Sequence, residues 1–516
     1  MKETIRQGIV GWSRGRVVPV HVTTSVVRNN WTNGSMVFMA AGSGLKDATH
    51  RIETAVGDPW ARMMLDHHPL QNQDVVYSLD PVTTEYHPTL DMALCAGILD
   101  AHTPDEALYC GEVGQAGAFR KLTFPLEAGR IARQMKKVLV CPAASAPLAA
   151  RTGAAVVGVE STSDMVRKFE KGLTKAKQTL PAPLSRASEP FPEFDDLKYI
   201  RGQRDAKWAL EVAVAGGHNL LLVGSPGEGK SALAMRAYTI APPLLEEESV
   251  EVSSIWQGAG RLDPTELMTH RPCIEAGRQT TPVALLGGGD AYSGARPGLV
   301  SLAHKGILLA DEFFEWPRTA AESLRGPLQD RRVTLARRDW QITFPADFQF
   351  VATANPCPCG NYGSPYADCR CTEAARRRYL AKISGPVFDR IDIRVRVEAL
   401  GRGVLTAPLG ESSAEVGARV RRAMEIQAAR YAGAGITRNA ELGPGMLDAF
   451  CNETPVARET LMSTAGRQQL SARGVSKLRA LARTVADLED SETVRGVHVV
   501  GAAKLMLWQP QVGDVT

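Results

Sequence analysis

The chain has 516 residues, 44% of them hydrophobic and 22% charged, a balance that excludes disordered and fibrous classes and sets an expectation of roughly three domains. Its 60 Lys and Arg against 56 Asp and Glu leave a net charge of only +4, so affinity for nucleic acid has to come from local basic clusters. No run reaches about 18 consecutive apolar residues, and no apolar stretch follows the charges of the amino-terminal MKETIRQGIVGWSRGR, which predicts a cytoplasmic protein without a membrane span or secretory signal.

In chain order, alternating runs at Val17–Val26 and Val75–Leu79, helical spacing at Thr89–Asp100 and Pro125–Lys136, and an apolar strand at Val138–Val140 predict an α+β domain over residues 1–172. Between 171 and 198 the chain holds four prolines and no apolar periodicity, which predicts a connector, placed at 173–195. Residues 196–400 alternate apolar strands with helical segments, the pattern of a parallel sheet covered on both faces. The remainder, 401–516, reads as helical, with 3.6-type spacing at Ser413–Ala429, Gly445–Cys451, Pro455–Ala465, Val475–Leu488 and Gly496–Leu505. The whole is a multidomain α/β chain.

The strongest motif follows the apolar strand Asn219–Val223. Gly224-Ser225-Pro226-Gly227-Glu228-Gly229-Lys230-Ser231 runs from that strand into a helical Ala232–Tyr238, the context in which a G-x-x-x-x-G-K-[ST] match predicts a phosphate-binding loop. The glycines let backbone N–H groups turn inward, and the helix amino terminus adds its dipole. Lys230 is expected on the β- and γ-phosphates of ATP and Ser231 on Mg²⁺. Gly306–Ala310 is a second buried strand, ending in Asp311-Glu312; Asp311 is expected to organise Mg²⁺ and Glu312 to polarise the attacking water. A third strand, Phe348–Ala352, leads through Thr353-Ala354 to Asn355, an amide placed to orient that water.

Two features lie outside the phosphate site. Val333–Leu335 and Gln341–Phe344 read as a hairpin with Arg337 and Arg338 at its tip and Arg331-Arg332 before it, either a contact to DNA phosphates or a solvated basic turn. Trp340, in the alternating strand, is expected to pack rather than to stack on a base. Cys357, Cys359, Cys369 and Cys371 form two C-x-C pairs separated by a loop containing Gly360, Gly363 and Pro365, a set suited to a structural Zn²⁺ or to four unligated thiols in a turn.

Several segments carry a resemblance: the Gly202-Gln203, Ala206-Lys207 and Gly216–Gly224 approach to the loop, ARPGLVSLAHKGILLADE (Ala295–Glu312), NPCPCG (Asn355–Gly360), CRCT (Cys369–Thr372) and RRRYLAKISGPVFDRID (Arg376–Asp392). Together they resemble the ComM (YifB) branch of the magnesium-chelatase-like AAA+ ATPases. Leu94–Lys171 is similar to that family's Lon-protease-like amino-terminal domain, and Leu470–Leu488 resembles its helical lid. The resemblance implies a homo-oligomeric ring, hexameric in form, that hydrolyses ATP with Mg²⁺ and acts on single-stranded or branched DNA as a branch-migration helicase in natural transformation. It also implies that Asn355 is sensor 1, that Arg390 is an arginine finger entering the neighbouring subunit, and that Arg473 is the sensor 2 arginine. Read from the residues alone, Arg390 has the alternative of an ion pair with Asp389 or Asp392.

The chain departs from the family pattern at Cys273–Gly289 and at Glu312-Phe313-Phe314-Glu315, which bears on substrate contacts rather than on nucleotide chemistry. No G-P-S-A-G-like elbow precedes the helix after Thr89, and Lys121, the nearest candidate base, sits outside that helix. The Lon-like domain is therefore read as catalytically degenerate, with an active protease as one alternative and a chelatase-type motor subunit as another.

Overall fold

The computed structural model describes residues 2–13, 16–28, 36–39, 45–56, 73–80, 86–99, 103–104, 106–114, 117–170, 172, 176–181, 195–290, 294–336, 341–399, 401 and 408–506. The amino-terminal part holds β1 (Lys2–Ser13), β2 (Arg16–Arg28), β3 (Met36–Met39), β4 (Gln73–Asp80), β5 (Leu108–Tyr109), the small hairpin β6 (Glu112–Val113) and β7 (Phe119–Arg120), β8 (Leu139–Pro142) and β9 (Val156–Val159). Seven of these form one mixed sheet in the order β3-β4-β2-β1-β5-β8-β9. Antiparallel pairing joins β1, β2 and β4, and β1, β5, β8 and β9 run parallel. The helix Asp91–Ile98 is buried on nearly all sides, while Pro125–Met135 shows one apolar face toward the sheet. Within the expected connector, Thr179 donates its N–H to the Val156 carbonyl at 2.7 Å and accepts from Gly158 N–H at 3.1 Å. That stretch therefore runs along the edge of β9 instead of hanging free.

Downstream come β10 (Leu220–Val223), β11 (Cys273–Ala276), β12 (Gly287–Asp290), β13 (Gly294–Pro297), β14 (Ile307–Ala310), β15 (Arg332–Ala336), β16 (Gln341–Pro345), β17 (Gln349–Ala354) and β18 (Ile393–Arg396). Five of them make a fully parallel sheet in the order β11-β14-β17-β10-β18. Its inner strands β10 and β14 are apolar and fully buried because both faces are covered, while the edge strands β11 and β18 carry charged residues such as Glu275 and Arg396. Leu220, Leu222, Ile307, Leu309, Val351 and Ile393 point into one core. Their neighbours Leu221, Val223, Leu308, Ala310, Phe350 and Ala352 point into the other, the two-residue period of a strand.

The first of these cores also takes the helices Arg204–Gly216, Ser413–Arg430, Pro455–Arg467, Ala472–Leu488 and Gly496–Met506. The carboxyl-terminal helices thus share a continuous apolar interior with one face of the sheet. The second core takes Glu246–Gly258 and Arg318–Ser323. Polar contacts join the amino-terminal part to this unit: Lys121 to Asp263 at 3.1 Å, Arg151 to Glu246 at 2.5 Å, and the Ser254 hydroxyl to Glu127 at 3.2 Å. Among the described residues no helix is long and apolar enough to cross a membrane.

Candidate active site

Every strand of the parallel sheet ends at the same edge, so residues that follow β10, β14 and β17 meet there. After β10 the chain turns through Gly224–Gly229 and enters a helix at Lys230. Gly227 and Gly229 have φ of +83° and +78°, and a side chain at either would project into open space. This left-handed backbone is the conformation that lets a loop's N–H groups turn inward. Lys230 folds back across the loop and donates from Nζ to the Ser225 carbonyl at 2.7 Å and to Asn355 Oδ1 at 3.2 Å. Burial lowers the Lys230 pKa from the usual lysine range, opposed by the charges of Asp311, Glu228 and Glu312.

The acidic half of the site comes from β14. Asp311 Oδ1 accepts hydrogen bonds from Ser231 Oγ at 2.7 Å and from Thr353 Oγ1 at 2.6 Å. Because β17 lies between β10 and β14, Thr353 reaches the same carboxylate oxygen as the loop's Ser231. It also accepts the Glu312 N–H at 3.1 Å, which holds Glu312 at a φ of +49°. The Asp311 carbonyl accepts from Trp316 Nε1 at 3.0 Å, and the Trp316 ring packs edge-on against Phe313. Glu312 reaches past Asp311 and forms an ion pair with Arg278, just beyond β11. The oxygen donors of Ser231 and Asp311 suit a hard cation such as Mg²⁺, and the open face of the loop beside Lys230 suits a phosphate chain.

Sequence reasoning placed Lys230, Ser231, Asp311 and Asn355 together, and the structure brings them together. It overlooked Arg278, which lies in the stretch that departs from the family pattern. It also gave no role to Gln203, which accepts the Glu398 N–H at 3.1 Å and donates to the Glu398 carbonyl at 2.8 Å, tying the segment before the first helix of this unit to the chain after β18.

The four cysteines sit directly behind Asn355. Cys357 Sγ lies 3.4 Å from Cys359 Sγ and 3.7 Å from Cys369 Sγ, and all four sulfurs, with Cys371, fall within 4.8 Å of one another. A tetrahedral Zn²⁺ with bonds of about 2.3 Å needs sulfurs about 3.8 Å apart. The donor set fits such an ion, and four protein ligands leave it no open position. The same loop touches the phosphate loop: at Gly360, φ +81°, an added Cβ would lie 2.5 Å from the Pro226 ring.

Arg390 and Arg473 lie elsewhere. The Arg390 carbonyl accepts from Asn219 Nδ2 at 2.8 Å, and Asn219 immediately precedes β10. The length of β10, about 13 Å at roughly 3.3 Å per residue, therefore separates Arg390 from the start of the phosphate loop. Its guanidinium is held by Gln329 Oε1 and the Pro386 carbonyl. The expected alternative partner Asp392 is bonded to Lys477 at 2.9 Å. Among the described residues no carboxylate makes an ion pair with Arg390, so the pairing with Asp389 or Asp392 is not what forms. Arg473 lines the same concavity.

The hairpin forms as β15 and β16, paired from Arg332 opposite Pro345 to Ala336 opposite Gln341. Arg337, Arg338 and Trp340 lie outside the described residues. Arg332 is exposed. Arg331 is half-buried and engaged with carboxylates, 3.6 Å from Asp347 and 2.5 Å from Glu441, and so ties the base of the hairpin to the carboxyl-terminal part. In the amino-terminal sheet, Thr89 Oγ1 is hydrogen-bonded to His87 Nδ1 at 2.8 Å, while Lys121 is engaged with Asp263; no Ser-Lys type pairing is assembled from these two.

Residues 196–405 match the family described as magnesium chelatase, subunit ChlI, and residues 410–505 match magnesium chelatase, subunit ChlI C-terminal. The uncharacterised protein Rv2897c of Mycobacterium tuberculosis is 35% identical over 475 residues, covering 89% of this chain and 90% of the relative. The YifB protein of Escherichia coli is 36% identical over 306 residues, 59% of each chain. The competence protein ComM of Haemophilus influenzae is 34% identical over 322 residues, 60% of this chain and 59% of the relative.

Proposed function

This chain belongs to the ComM/YifB branch of the magnesium-chelatase-like AAA+ family, whose members are ATPases that use ATP and Mg²⁺, and on that premise we propose that it is an ATP-driven ring motor acting on DNA, a branch-migration helicase in transformation and recombination. The observation that carries the ATPase reading is the convergence of Lys230, Ser231, Asp311 and Asn355 at one sheet edge. The relative named as a competence protein supports the DNA reading.

In this reading the backbone of Gly227–Ser231 and the Lys230 ammonium hold the β- and γ-phosphates, and Ser231 with Asp311 holds Mg²⁺. Bound there, the cation neutralises charge that develops on the phosphates. Glu312 polarises the attacking water once Arg278 releases it, and Asn355 orients that water. Arg390 and Arg473 come from the neighbouring subunit of a hexameric ring. A structural Zn²⁺ on Cys357, Cys359, Cys369 and Cys371 stiffens the loop behind Asn355. The basic hairpin reaches DNA phosphates through Arg332, Arg337 and Arg338, without reading sequence, while Arg331 holds its base.

A chelatase-type motor that remodels a protein partner is the second reading, favoured by the match of both family regions to magnesium chelatase. ATP turnover measured with single-stranded, duplex and four-way-junction DNA separates the two. The DNA motor predicts stimulation, strongest with the junction; turnover indifferent to every DNA form supports the protein-remodelling motor. Replacing both Arg337 and Arg338 with Ala should weaken DNA binding evenly across sequences and reduce the salt slope by up to about 2, at just under one unit per phosphate contact.

A further inference from the structure

We propose that Arg325 is a third phosphate-contacting group, presented with Arg390 and Arg473 to the nucleotide held by the Lys230 loop of a neighbouring copy of this chain; this rests on the ring reading above. At the amino edge of the parallel sheet, Arg325, Gln329, Pro386, Asp389, Arg390 and Arg473 line one concavity of about 500 Å³. Three guanidiniums face a single carboxylate there. Among the described residues none of the three makes an ion pair; Arg325 and Arg473 are exposed, while Arg390 is buried and yet lacks the carboxylate partner that Arg271 finds in Glu248 and Arg430 in Asp487.

Like charges gathered in a concave site raise its energy until an anion arrives. Burial, and then the charges of Arg473 and Arg325, lower the Arg390 pKa. Arg390 is only 7% exposed, and its Nε is buried without a partner. Its two outer nitrogens are fixed by Gln329 and Pro386, so the head is held in place before any ligand enters. Three cations gathered in one concavity around a fixed Arg390 fit a compact polyanion such as a triphosphate better than an extended strand of DNA.

The position of Arg325 in the chain strengthens the assignment. It follows Glu312 by thirteen residues. The intervening segment is pinned to the core: Phe313 meets Trp316 and Phe350 edge to face, Phe314 meets Tyr379 in the same way, and Ala320, Ala321 and Leu324 are buried beyond them. One packed segment therefore runs from the water-polarising carboxylate of a subunit's own site to the cation it offers its neighbour.

The test is phosphate release by Arg325→Ala protein, alone and mixed with Lys230→Ala protein, beside a parallel mixture of Arg390→Ala with Lys230→Ala. Arg325 is exposed, so the variant should keep its thermal midpoint, and Arg325→Gln repeats the test with the side-chain length retained. Arg325→Ala alone should lose at least about tenfold in turnover. The mixture should regain turnover where an Lys230→Ala subunit lends its intact Arg325 to the intact phosphate loop of its neighbour. Full turnover by Arg325→Ala alone overturns the proposal, as does a lowered DNA salt slope with hydrolysis unchanged. Loss without rescue, beside a rescued Arg390 mixture, places Arg325 in its own subunit's structure and overturns it while leaving the trans finger standing. Failure of both mixtures removes the trans finger itself and this proposal with it.

Discussion

At the carboxyl ends of β10, β14 and β17, Lys230, Ser231, Asp311, Thr353 and Asn355 bond to one another, each cation or donor meeting an acceptor from a different strand. At the amino ends of the same sheet, Arg325, Arg390 and Arg473 line an open concavity with one carboxylate, Asp389, and none of the three makes an ion pair among the described residues. The first edge is balanced within one chain and is ready to receive a ligand. The second carries three cations against one lining carboxylate, a surplus that an anion from outside would offset. Two incomplete surfaces at opposite ends of one sheet are what a ring needs if each subunit is to bind nucleotide on one side and complete its neighbour's site on the other.

The sharpest way to break this contrast is to damage the carboxyl edge one role at a time. Lys230→Ala should weaken nucleotide binding by at least about a hundredfold, through loss of a charge-assisted contact, read by titration with a fluorescent ATP analogue. Glu312→Gln should bind the analogue normally yet lose about a thousandfold or more in phosphate release, because only the water-polarising carboxylate is gone. Normal turnover by Glu312→Gln removes that residue from the chemistry.

A smaller effect tests whether the cysteine loop belongs to the same edge. Gly360→Ala places a Cβ against Pro226 at a backbone angle that side chains rarely adopt. It should weaken nucleotide binding by about tenfold, corresponding to about 1.4 kcal/mol, while leaving metal content at about one zinc per chain. Cys369→Ser with Cys371→Ser should lose that zinc. Metal-free wild-type protein with full ATPase activity would refute the ion.

The smallest expected effect concerns the amino edge. Burial alone would raise the pKa of Asp347, but the charges of Lys305 and Arg331 bring it down to about 2. A carboxylate held below its unfolded value stabilises the fold above about pH 4 and loses that contribution as pH falls toward 2. Asp347→Asn should therefore cost about 1–2 kcal/mol near neutral pH and flatten the acid limb of the stability curve. An unchanged acid limb in urea titrations at pH 5 and pH 3 would remove the Arg331 anchor from the account.

The carboxyl edge was legible because three contiguous motifs each sit at a strand end, and a parallel sheet brings strand ends together whatever the rest of the chain does. Arg278 and Arg325 were not legible. Tertiary packing sets both positions, Arg325 on the segment that follows Glu312, and neither carries a local signal. Arg331 read as a basic turn residue, but Asp347 and Glu441, the latter far along the chain, claim it. In the amino-terminal sheet β1 went unseen because its pattern is inverted. Thr4 and Arg6 are buried, the latter donating to the Thr103 carbonyl at 3.1 Å, while Ile5 is 57% exposed. Apolar periodicity detects a strand only when the apolar side chains take the inner face. The carboxyl-terminal helices were recovered because most of their apolar faces feed one core, and the helix Pro444–Phe450 feeds a smaller cluster with Tyr431 and Ala480.

The central claim, that one chain does not contain a complete site, is tested most directly by specific ATPase activity across a wide range of protein concentration, followed in parallel by sedimentation velocity. The account predicts turnover per chain that rises steeply as subunits assemble and approaches zero in the dilute monomer. Turnover per chain that stays constant while the protein sediments as a monomer would contradict it.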